Sequence, residues 1–226
     1  MDAPKIAAAL RDEGYFAPLQ LPVSVVAPLV RHAHEALCRR NDNDSERFLI
    51  GQVRDGRSPL GQPVAIADVE ALERCPEIER LAGDRTLFEV AQLHLGYTPS
   101  QVLTRLYWSP RAALSDTQRR TNGQTIDYHY DIERGNALYA YFYLSAVDRT
   151  SGAHVIVSRS HKSKPLAMKL SSTRQAERKV LGRYGRDNVV TLEGGPGFGF
   201  VEDPACFHKA LPPRDRDRLI LQFRYI

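Results

Sequence analysis

The sequence predicts a mainly β protein of the α+β class: a double-stranded β-helix (jelly roll, cupin-like) with N-terminal helices packed against one sheet. Two observations support this prediction. In the first third of the chain apolar residues recur at helical intervals, whereas after Pro99 short runs of β-branched and aromatic residues alternate with Gly, Pro, Asp and Asn. Short antiparallel strands that follow a helical region are typical of two packed sheets with helices on one side.

The chain has 226 residues, a length that a single domain commonly reaches. We therefore expect one domain over 1–226, in which 1–98 is mainly helical and 99–226 forms the jelly-roll core. Helical periodicity predicts helices in the first part at 6–10, 23–37, 69–81 and 87–95.

Strands are predicted in the second part wherever β-branched and aromatic residues cluster between turn residues. These predicted strands lie at 101–108, 125–131, 137–146, 154–158, 189–192, 198–201 and 218–225. Two insertions interrupt them, at 109–124 and 162–187, and the second contains a helix-like stretch at 173–184. Long connections in compact domains often act as lids or binding loops.

The composition excludes several classes of protein. Hydrophobic residues make up 42% and charged residues 26% of the chain, and no apolar run is long enough for a membrane span. The N-terminal residues show no apolar leader segment, so we expect a cytoplasmic protein. Cys38, Cys75 and Cys206 match neither a disulfide framework nor a paired-cysteine metal site, and we expect reduced thiols.

The net charge of +4 permits an acidic partner or a solvated, arginine-rich surface. Because no basic run is interleaved with aromatic residues, nucleic acid is not the expected partner. Basic residues that could surround the mouth of the barrel would either steer an anionic substrate or form a solvated rim. They are Arg105, Arg111, Arg119, Arg120, Lys162 and Lys164.

The motif His129-Tyr130-Asp131 is the main candidate for chemistry. Residues i and i+2 of a strand point to the same face, so both outer side chains of this motif can enter one cavity. His208, which follows a glycine-rich turn, would supply a third ligand from a distant strand. Two imidazoles and one carboxylate leave the other side of an octahedral metal open, as in non-haem Fe(II) oxygenases.

Arg218 opens the last apolar run, ten residues after His208, where its guanidinium could receive a carboxylate in two parallel hydrogen bonds. The alternatives are that His208 is a surface loop residue and that Arg218 caps a strand or pairs with Asp203 or Asp215. The joint occurrence of all four residues favours the metal site.

The order of motifs resembles the phytanoyl-CoA dioxygenase family of Fe(II)/2-oxoglutarate-dependent oxygenases. Arg11-Asp12-Glu13-Gly14-Tyr15-Phe16 resembles the opening helix and turn of the family, and His129-Tyr130-Asp131 its H-x-D element. Residues 144–157 resemble a strand, turn and strand of the family, and Ser158-Arg159-Ser160-His161-Lys162 stands where relatives carry Pro-Gly-Ser-His-Lys. The segment from Gly195 through His208 to Arg218 matches the closing element.

The resemblance implies that His129, Asp131 and His208 bind Fe(II) and that Arg218 holds the distal carboxylate of 2-oxoglutarate. It also implies cosubstrate contacts for Tyr141 and Thr104, with O2 as the further reactant and succinate and CO2 as products. Asp131 favours hydroxylation, because related halogenases lack this carboxylate. Two departures from the family stand out: Ser158-Arg159 replaces Pro-Gly, and Ala210 lacks a hydroxyl that would assist Arg218.

The expected partner is therefore a small-molecule substrate that is hydroxylated at an unactivated C–H bond. Two alternatives stay open: a hydroxylase or demethylase that acts on a macromolecule, and a jelly-roll binding module without catalysis. Neither the identity of the substrate nor the oligomeric state can be deduced from these residues.

Overall fold

The computed structural model describes residues 2–40, 45–132 and 136–226. The helices in the N-terminal part are α1 (Ala3–Glu13), α2 (Val23–Glu35), α3 (Pro76–Ala82) and α4 (Arg85–Leu95). Those in the second part are α5 (Asp116–Thr121), α6 (Leu166–Lys169) and α7 (Glu177–Tyr184). The strands are β1 (Tyr15–Gln20), β2 (Cys38–Arg39), β3 (Ala67–Val69), β4 (Val102–Ser109), β5 (Leu138–Tyr143), β6 (His154–Val157), β7 (Val189–Leu192), β8 (Phe198–Glu202), β9 (His208–Ala210) and β10 (Arg218–Tyr225).

The described strands form two antiparallel sheets. The larger has the order β1-β8-β5-β10-β4-β3-β2 and the smaller the order β7-β6-β9. A single bridge between His129 and His208 adds one more pairing beside β9. None of the described helices is long and apolar enough to cross a membrane.

Side-chain alternation in β10 separates the two faces of the larger sheet. Leu219, Leu221 and Phe223 belong to one apolar cluster with residues of the N-terminal helices. Ile220 belongs to a second cluster with Ile156 and other residues of the smaller sheet. The helices therefore cover one face of the larger sheet, as predicted, and the smaller sheet packs on the other face.

Capping residues define the helices that cover the sheet. The carboxylate of Asp2 accepts a hydrogen bond from the amide of Lys5, and that of Asp84 accepts one from the amide of Leu87. Both α1 and α4 end at a glycine with left-handed backbone geometry, Gly14 and Gly96. The two helices pack against each other.

The structure differs from the predicted elements at several points. The segment 69–81 is not one helix, because β3 ends at Val69, a short 3-10 turn covers Leu72–Arg74 and α3 begins only at Pro76. Strand β1 was not predicted; it pairs with β8 at the edge of the larger sheet. Residues 125–131 form no strand, and of their backbone only His129 makes a ladder-type bridge.

The end of α1 is tied to the turn that follows β6. A side chain at Gly14 is excluded, because its Cβ would lie 2.2 Å from Sγ of Cys206 and 2.8 Å from Nδ1 of His161. The backbone φ of 84° at Gly14 also disfavours any other residue. The family-like segments around residues 14 and 161 are therefore direct neighbours.

Glu13 holds the turn at Ser158 and Arg159 by hydrogen bonds. The Ser158 hydroxyl donates to Oε2 of Glu13 at 2.7 Å, and the amide of Arg159 donates to the Glu13 carbonyl at 2.8 Å. The guanidinium of Arg159 pairs with the same carboxylate, and this contact is the main cause that lowers the pKa of Glu13. Arg159 nevertheless has a φ of 64°, a geometry that favours glycine.

We expect Glu13→Ala to lower the free energy of unfolding by about 1 kcal/mol, because it removes the hydroxyl contact and an exposed ion pair together. Arg159→Gly should lower the free energy of unfolding less than Glu13→Ala does, since relief of the left-handed geometry offsets the lost ion pair. Urea unfolding measures both. Asp12→Ala is the matched control, because Asp12 is exposed and forms an ion pair with Lys162. Equal losses from Asp12→Ala and Glu13→Ala would contradict this role of Glu13.

Candidate metal centre

Reciprocal backbone hydrogen bonds bring the two histidines together. The amide of His129 donates to the carbonyl of His208 at 3.0 Å, and the amide of His208 donates to the carbonyl of His129 at 2.8 Å. The amide of Asp131 donates to the carbonyl of Pro204 at 2.9 Å. The motif is therefore held against the loop and strand that carry His208, although it does not form a strand itself.

The three side chains converge on one point. Oδ1 of Asp131 lies 3.8 Å from Nε2 of His129, and Oδ2 of Asp131 lies 3.8 Å from Nε2 of His208. The candidate ligand atoms of the three residues all lie within 4.8 Å of one another, and no other group of three or more such residues was found in the described part of the chain. This spacing suits ligands that share one metal ion.

Hydrogen bonds fix the tautomer of each imidazole. Nδ1 of His129 lies 3.0 Å from the carbonyl of Asp127, and Nδ1 of His208 lies 2.9 Å from the carbonyl of Cys206. A carbonyl can only accept, so Nδ1 carries a proton in each ring, and Nε2 is the nitrogen left for a metal. Burial lowers the pKa of His208 to about 3, which keeps this ring neutral. The donor set therefore fits a divalent metal with one open face.

The three residues line a cavity of about 360 Å³ between the two sheets, a volume within the range of small-molecule sites. Tyr141 and Arg218 line the same cavity, so five of the six predicted site residues come together. Of the basic residues expected near the mouth, Arg105 is among the lining residues.

Arg218 is buried in this cavity with an incomplete set of partners. It is 2% exposed; Nη1 donates to the carbonyl of Gly152 at 2.6 Å and Nη2 to the hydroxyl of Ser109 at 2.9 Å. Nε has no hydrogen-bond partner, and no acidic side chain of the described residues pairs with the guanidinium. A buried charge without a counterion is costly, so the site fits an incoming carboxylate.

Ser109 is a site residue that the sequence prediction missed. It stands directly opposite Arg218 in the β4–β10 register and is fully buried. The predicted strand ended at 108 and left Ser109 in the insertion, although a hydroxyl one residue beyond that strand was the available signal. Its hydroxyl accepts a hydrogen bond from Arg218, whereas Ala210 lines the cavity without a polar side chain.

Thr104 does not reach the cavity. It pairs with Phe223, whose side chain lies in the cluster on the helix-covered face of the larger sheet. Its strand neighbours Arg105 and Tyr107 point to the opposite face and line the cavity. The position of Thr104 therefore gives no support to the expected cosubstrate contact, which stays a prediction.

Tyr141 forms part of the cavity wall. Its ring stacks on that of Phe200 at 4.9 Å between centroids, and its hydroxyl accepts a hydrogen bond from Nε2 of Gln222 at 2.8 Å. Burial raises the pKa of Tyr141 well above its ordinary value. The neutral hydroxyl is therefore held by Gln222.

A buried histidine and glutamate lie beside the triad. Nε2 of His154 is 2.7 Å from Oε2 of Glu202, and the His154 ring is parallel to that of His208 at 5.4 Å between centroids. Burial lowers the pKa of His154 to about 3 and raises that of Glu202 to about 7. Oε1 of Glu202 has no hydrogen-bond partner among the described residues. Sequence patterns alone did not single out this pair.

The sequence matches no model of a known protein family and no curated protein. Solved structures with a similar fold do exist. One is the non-heme alpha ketoglutarate dependent epimerase SnoN from nogalamycin biosynthesis, with 17% identity, a TM-score of 0.65, and coverage of 99% of this chain and 82% of SnoN.

A second is EctD from S. alaskensis, solved with 2-oxoglutarate and 5-hydroxyectoine, with 21% identity, a TM-score of 0.66, and coverage of 100% of this chain and 76% of EctD. The third is the non-heme alpha ketoglutarate dependent carbocyclase SnoK from nogalamycin biosynthesis, with 16% identity, a TM-score of 0.68, and coverage of 100% and 86%. At these identities the likeness concerns the fold, and the predicted jelly roll is confirmed.

The raised pKa of Glu202 predicts a pH-dependent stability. A carboxyl whose pKa is raised by folding stabilises the folded state at low pH and loses that contribution as the pH rises through its folded value. We expect the free energy of unfolding of the metal-free protein, measured relative to Glu202→Gln, to fall by more than about 1 kcal/mol between pH 4.5 and pH 8. Urea unfolding at a series of pH values measures this difference, and a constant difference would contradict it.

Proposed function

We propose that this chain is an Fe(II)- and 2-oxoglutarate-dependent oxygenase that hydroxylates an unactivated C–H bond of a small molecule. One observation carries the proposal. A triad of two imidazoles and a carboxylate shares a cavity with a buried arginine that lacks a carboxylate partner among the described residues. The triad suits iron, and the buried arginine suits a dicarboxylate.

His129, Asp131 and His208 would hold the iron. The two imidazoles present Nε2 lone pairs, and Asp131 contributes one negative charge, so the bound Fe(II) would retain a positive charge that attracts an anionic cosubstrate. Because both Nδ1 atoms are held by backbone carbonyls, the imidazoles need no rearrangement to bind.

Arg218 and Ser109 would hold the distal carboxylate of 2-oxoglutarate. The guanidinium is oriented by Gly152 and Ser109, and its Nε is left for an external acceptor. Charge-assisted hydrogen bonds from a desolvated arginine are strong and directional, which favours a carboxylate in one position. Tyr141 would add a wall to the same compartment.

When bound, iron and 2-oxoglutarate react with O2 to supply an oxidant that removes hydrogen from a C–H bond, with succinate and CO2 as products. The protein's own part is to position the substrate and to exclude water. The ring of Phe200 packs against Tyr141 and His154, two residues of the cavity wall, and is itself fully buried.

Hydroxylation is the proposed outcome because Asp131 supplies the third ligand and leaves no vacancy for a halide. The structural neighbours described above include an epimerase, a carbocyclase and an enzyme solved with 5-hydroxyectoine, so the fold accommodates several outcomes. The cavity volume of about 360 Å³ supports a small-molecule substrate over a macromolecule.

We expect Asp131→Ala and His208→Ala to weaken Fe(II) binding by at least about tenfold and to abolish 2-oxoglutarate-dependent succinate formation, because each removes a metal ligand. Equilibrium dialysis with Fe(II) under anaerobic conditions and a succinate assay measure the two effects. His34→Ala is the matched control, since His34 is exposed on α2. Full iron binding by either triad variant would overturn the assignment.

We expect Arg218→Ala to raise the 2-oxoglutarate concentration needed for half-maximal turnover by at least about tenfold, because a buried charge-assisted contact is lost. Ser109→Ala should raise it less, by about two- to tenfold, since one neutral hydrogen bond to Arg218 is removed. Iron binding, measured in parallel, should remain close to that of the original protein. An unchanged requirement for 2-oxoglutarate in Arg218→Ala would show that another group holds the carboxylate.

A further inference from the structure

Gln124 is a second buried donor at the cavity that has no hydrogen-bond partner. It is 2% exposed and lines the same cavity as Arg218. Its Nε2 atom has no partner among the described residues, and the same holds for Nε of Arg218. Buried polar groups in folded proteins are nearly always hydrogen-bonded, so an unpaired amide in a cavity wall indicates a ligand that completes it.

Arg119 fixes the orientation of this amide. Its Nη1 atom donates to Oε1 of Gln124 at 2.9 Å. A guanidinium can only donate, so the carbonyl end of the Gln124 side chain faces Arg119 and the NH2 end points away from it. Arg119 is 3% exposed and is not among the described residues that line the cavity. It therefore supports Gln124 from outside the cavity.

The charge of Arg119 also strengthens the donor. Its Nη2 atom donates to the carbonyl of Ala112 at 2.5 Å, and its own carbonyl accepts from the amide of Gln124 at 2.9 Å, so the arginine is held on several sides. A cation that donates to the carbonyl of an amide polarises that amide, and its NH2 group becomes a better donor. Gln124 thus presents to the cavity a donor that is supported by a buried charge.

The insertion that carries Gln124 starts beside Arg218. Its first residue, Ser109, accepts a hydrogen bond from Nη2 of Arg218 at 2.9 Å. Three residues later, the carbonyl of Ala112 accepts the hydrogen bond from Arg119. The side chain that orients Gln124 is therefore bound close to the side chain that orients Arg218.

The other end of the insertion is tied to the same neighbourhood. The amide of Ala210 donates to the carbonyl of Thr125, the residue after Gln124, at 2.9 Å. Ala210 in turn pairs with the first residue of β6, and the carbonyl that accepts from Nη1 of Arg218 belongs to Gly152, two residues before that strand. Both ends of the insertion thus place Gln124 at the end of the cavity where Arg218 lies.

A carboxylate suits these two donors better than a neutral group does. It has two acceptor oxygens, so it can accept from a guanidinium N–H and from an amide N–H at the same time. It also supplies the negative charge that Arg218 lacks, which a carbonyl or a hydroxyl would not. Ala210 offers no side-chain donor at this end of the cavity, and Gln124 can fill that role from the insertion.

We propose that Gln124 is a cosubstrate-binding residue, whose Nε2 atom donates to the distal carboxylate of 2-oxoglutarate together with Arg218. Arg119 is the positioning residue that orients Gln124. This inference rests on the proposed function and deepens it: the insertion at 109–124 takes part in the selection of a 2-oxoacid that ends in a carboxylate.

The test compares 2-oxoglutarate with 2-oxopentanoate, which has the same chain length but ends in a methyl group. Calorimetric titration of the protein loaded with Mn(II) instead of iron measures both dissociation constants without turnover. The ratio of the two constants reports on the distal carboxylate, because general damage to the site changes both values together. Titration of the metal-free protein with glutarate adds a readout that does not depend on the metal.

We expect Gln124→Leu to raise the dissociation constant of 2-oxoglutarate about tenfold and to change that of 2-oxopentanoate by less than about twofold, since a single hydrogen bond to a charged acceptor is lost. Gln124→Glu should weaken 2-oxoglutarate binding further, because it places a negative charge beside the carboxylate. The new carboxylate would pair with Arg119, so the thermal unfolding midpoint of this variant should not fall. Arg119→Met should give a smaller loss of the same kind, because the amide is then free to rotate.

Gln92→Leu is the matched control, because Gln92 is exposed on α4 and is not among the described residues that line the cavity. Unchanged binding of 2-oxoglutarate by Gln124→Leu would overturn the proposal, as would an equal loss for both 2-oxoacids. Either result leaves the oxygenase function standing if succinate is still formed. Conversely, if Gln124→Leu loses glutarate binding but the original protein forms no succinate, the carboxylate site is supported and the oxygenase assignment is contradicted.

Discussion

The reciprocal backbone hydrogen bonds between His129 and His208 are the interaction on which the rest of the site depends. They join two segments that are distant in the chain and set both imidazoles side by side. Each ring is then locked by its own carbonyl acceptor two residues earlier, so that both Nε2 atoms face Asp131. A metal site formed in this way is preorganised by backbone contacts, which substitutions of surrounding side chains disturb least.

Arg218, in contrast, is an energetic cost to the fold, because it brings a charge into the interior without an acidic partner among the described residues. The surrounding fold tolerates this cost because Ser109 and Gly152 satisfy part of the guanidinium and the ring of Tyr107 lies 5.9 Å from it. Such an arrangement lowers the stability of the folded protein when nothing is bound, and the carboxylate of a ligand would supply the missing counterion. Binding energy and stability are thus coupled at this end of the cavity.

Local sequence predicted the elements that are defined by continuous side-chain patterns. Strands β7 and β10 have the predicted bounds, because each is a run of β-branched or large apolar residues. The strand predicted at 125–131 failed since its pairing partner, β9, is only three residues long and leaves one bridge for His129. The placement of Thr104 on the helix-covered face has a similar cause: alternation along β4 is visible in the sequence, but its phase depends on the register with β10, which only tertiary pairing sets. The pair of His154 and Glu202 gave no local signal, because it joins two sheets across the interior.

The triad and Arg218 occupy one part of the cavity and would serve the metal and cosubstrate whatever molecule is oxidised. Structures of this fold include an epimerase and a carbocyclase, so the outcome of a reaction must depend on how a substrate is held rather than on the fold.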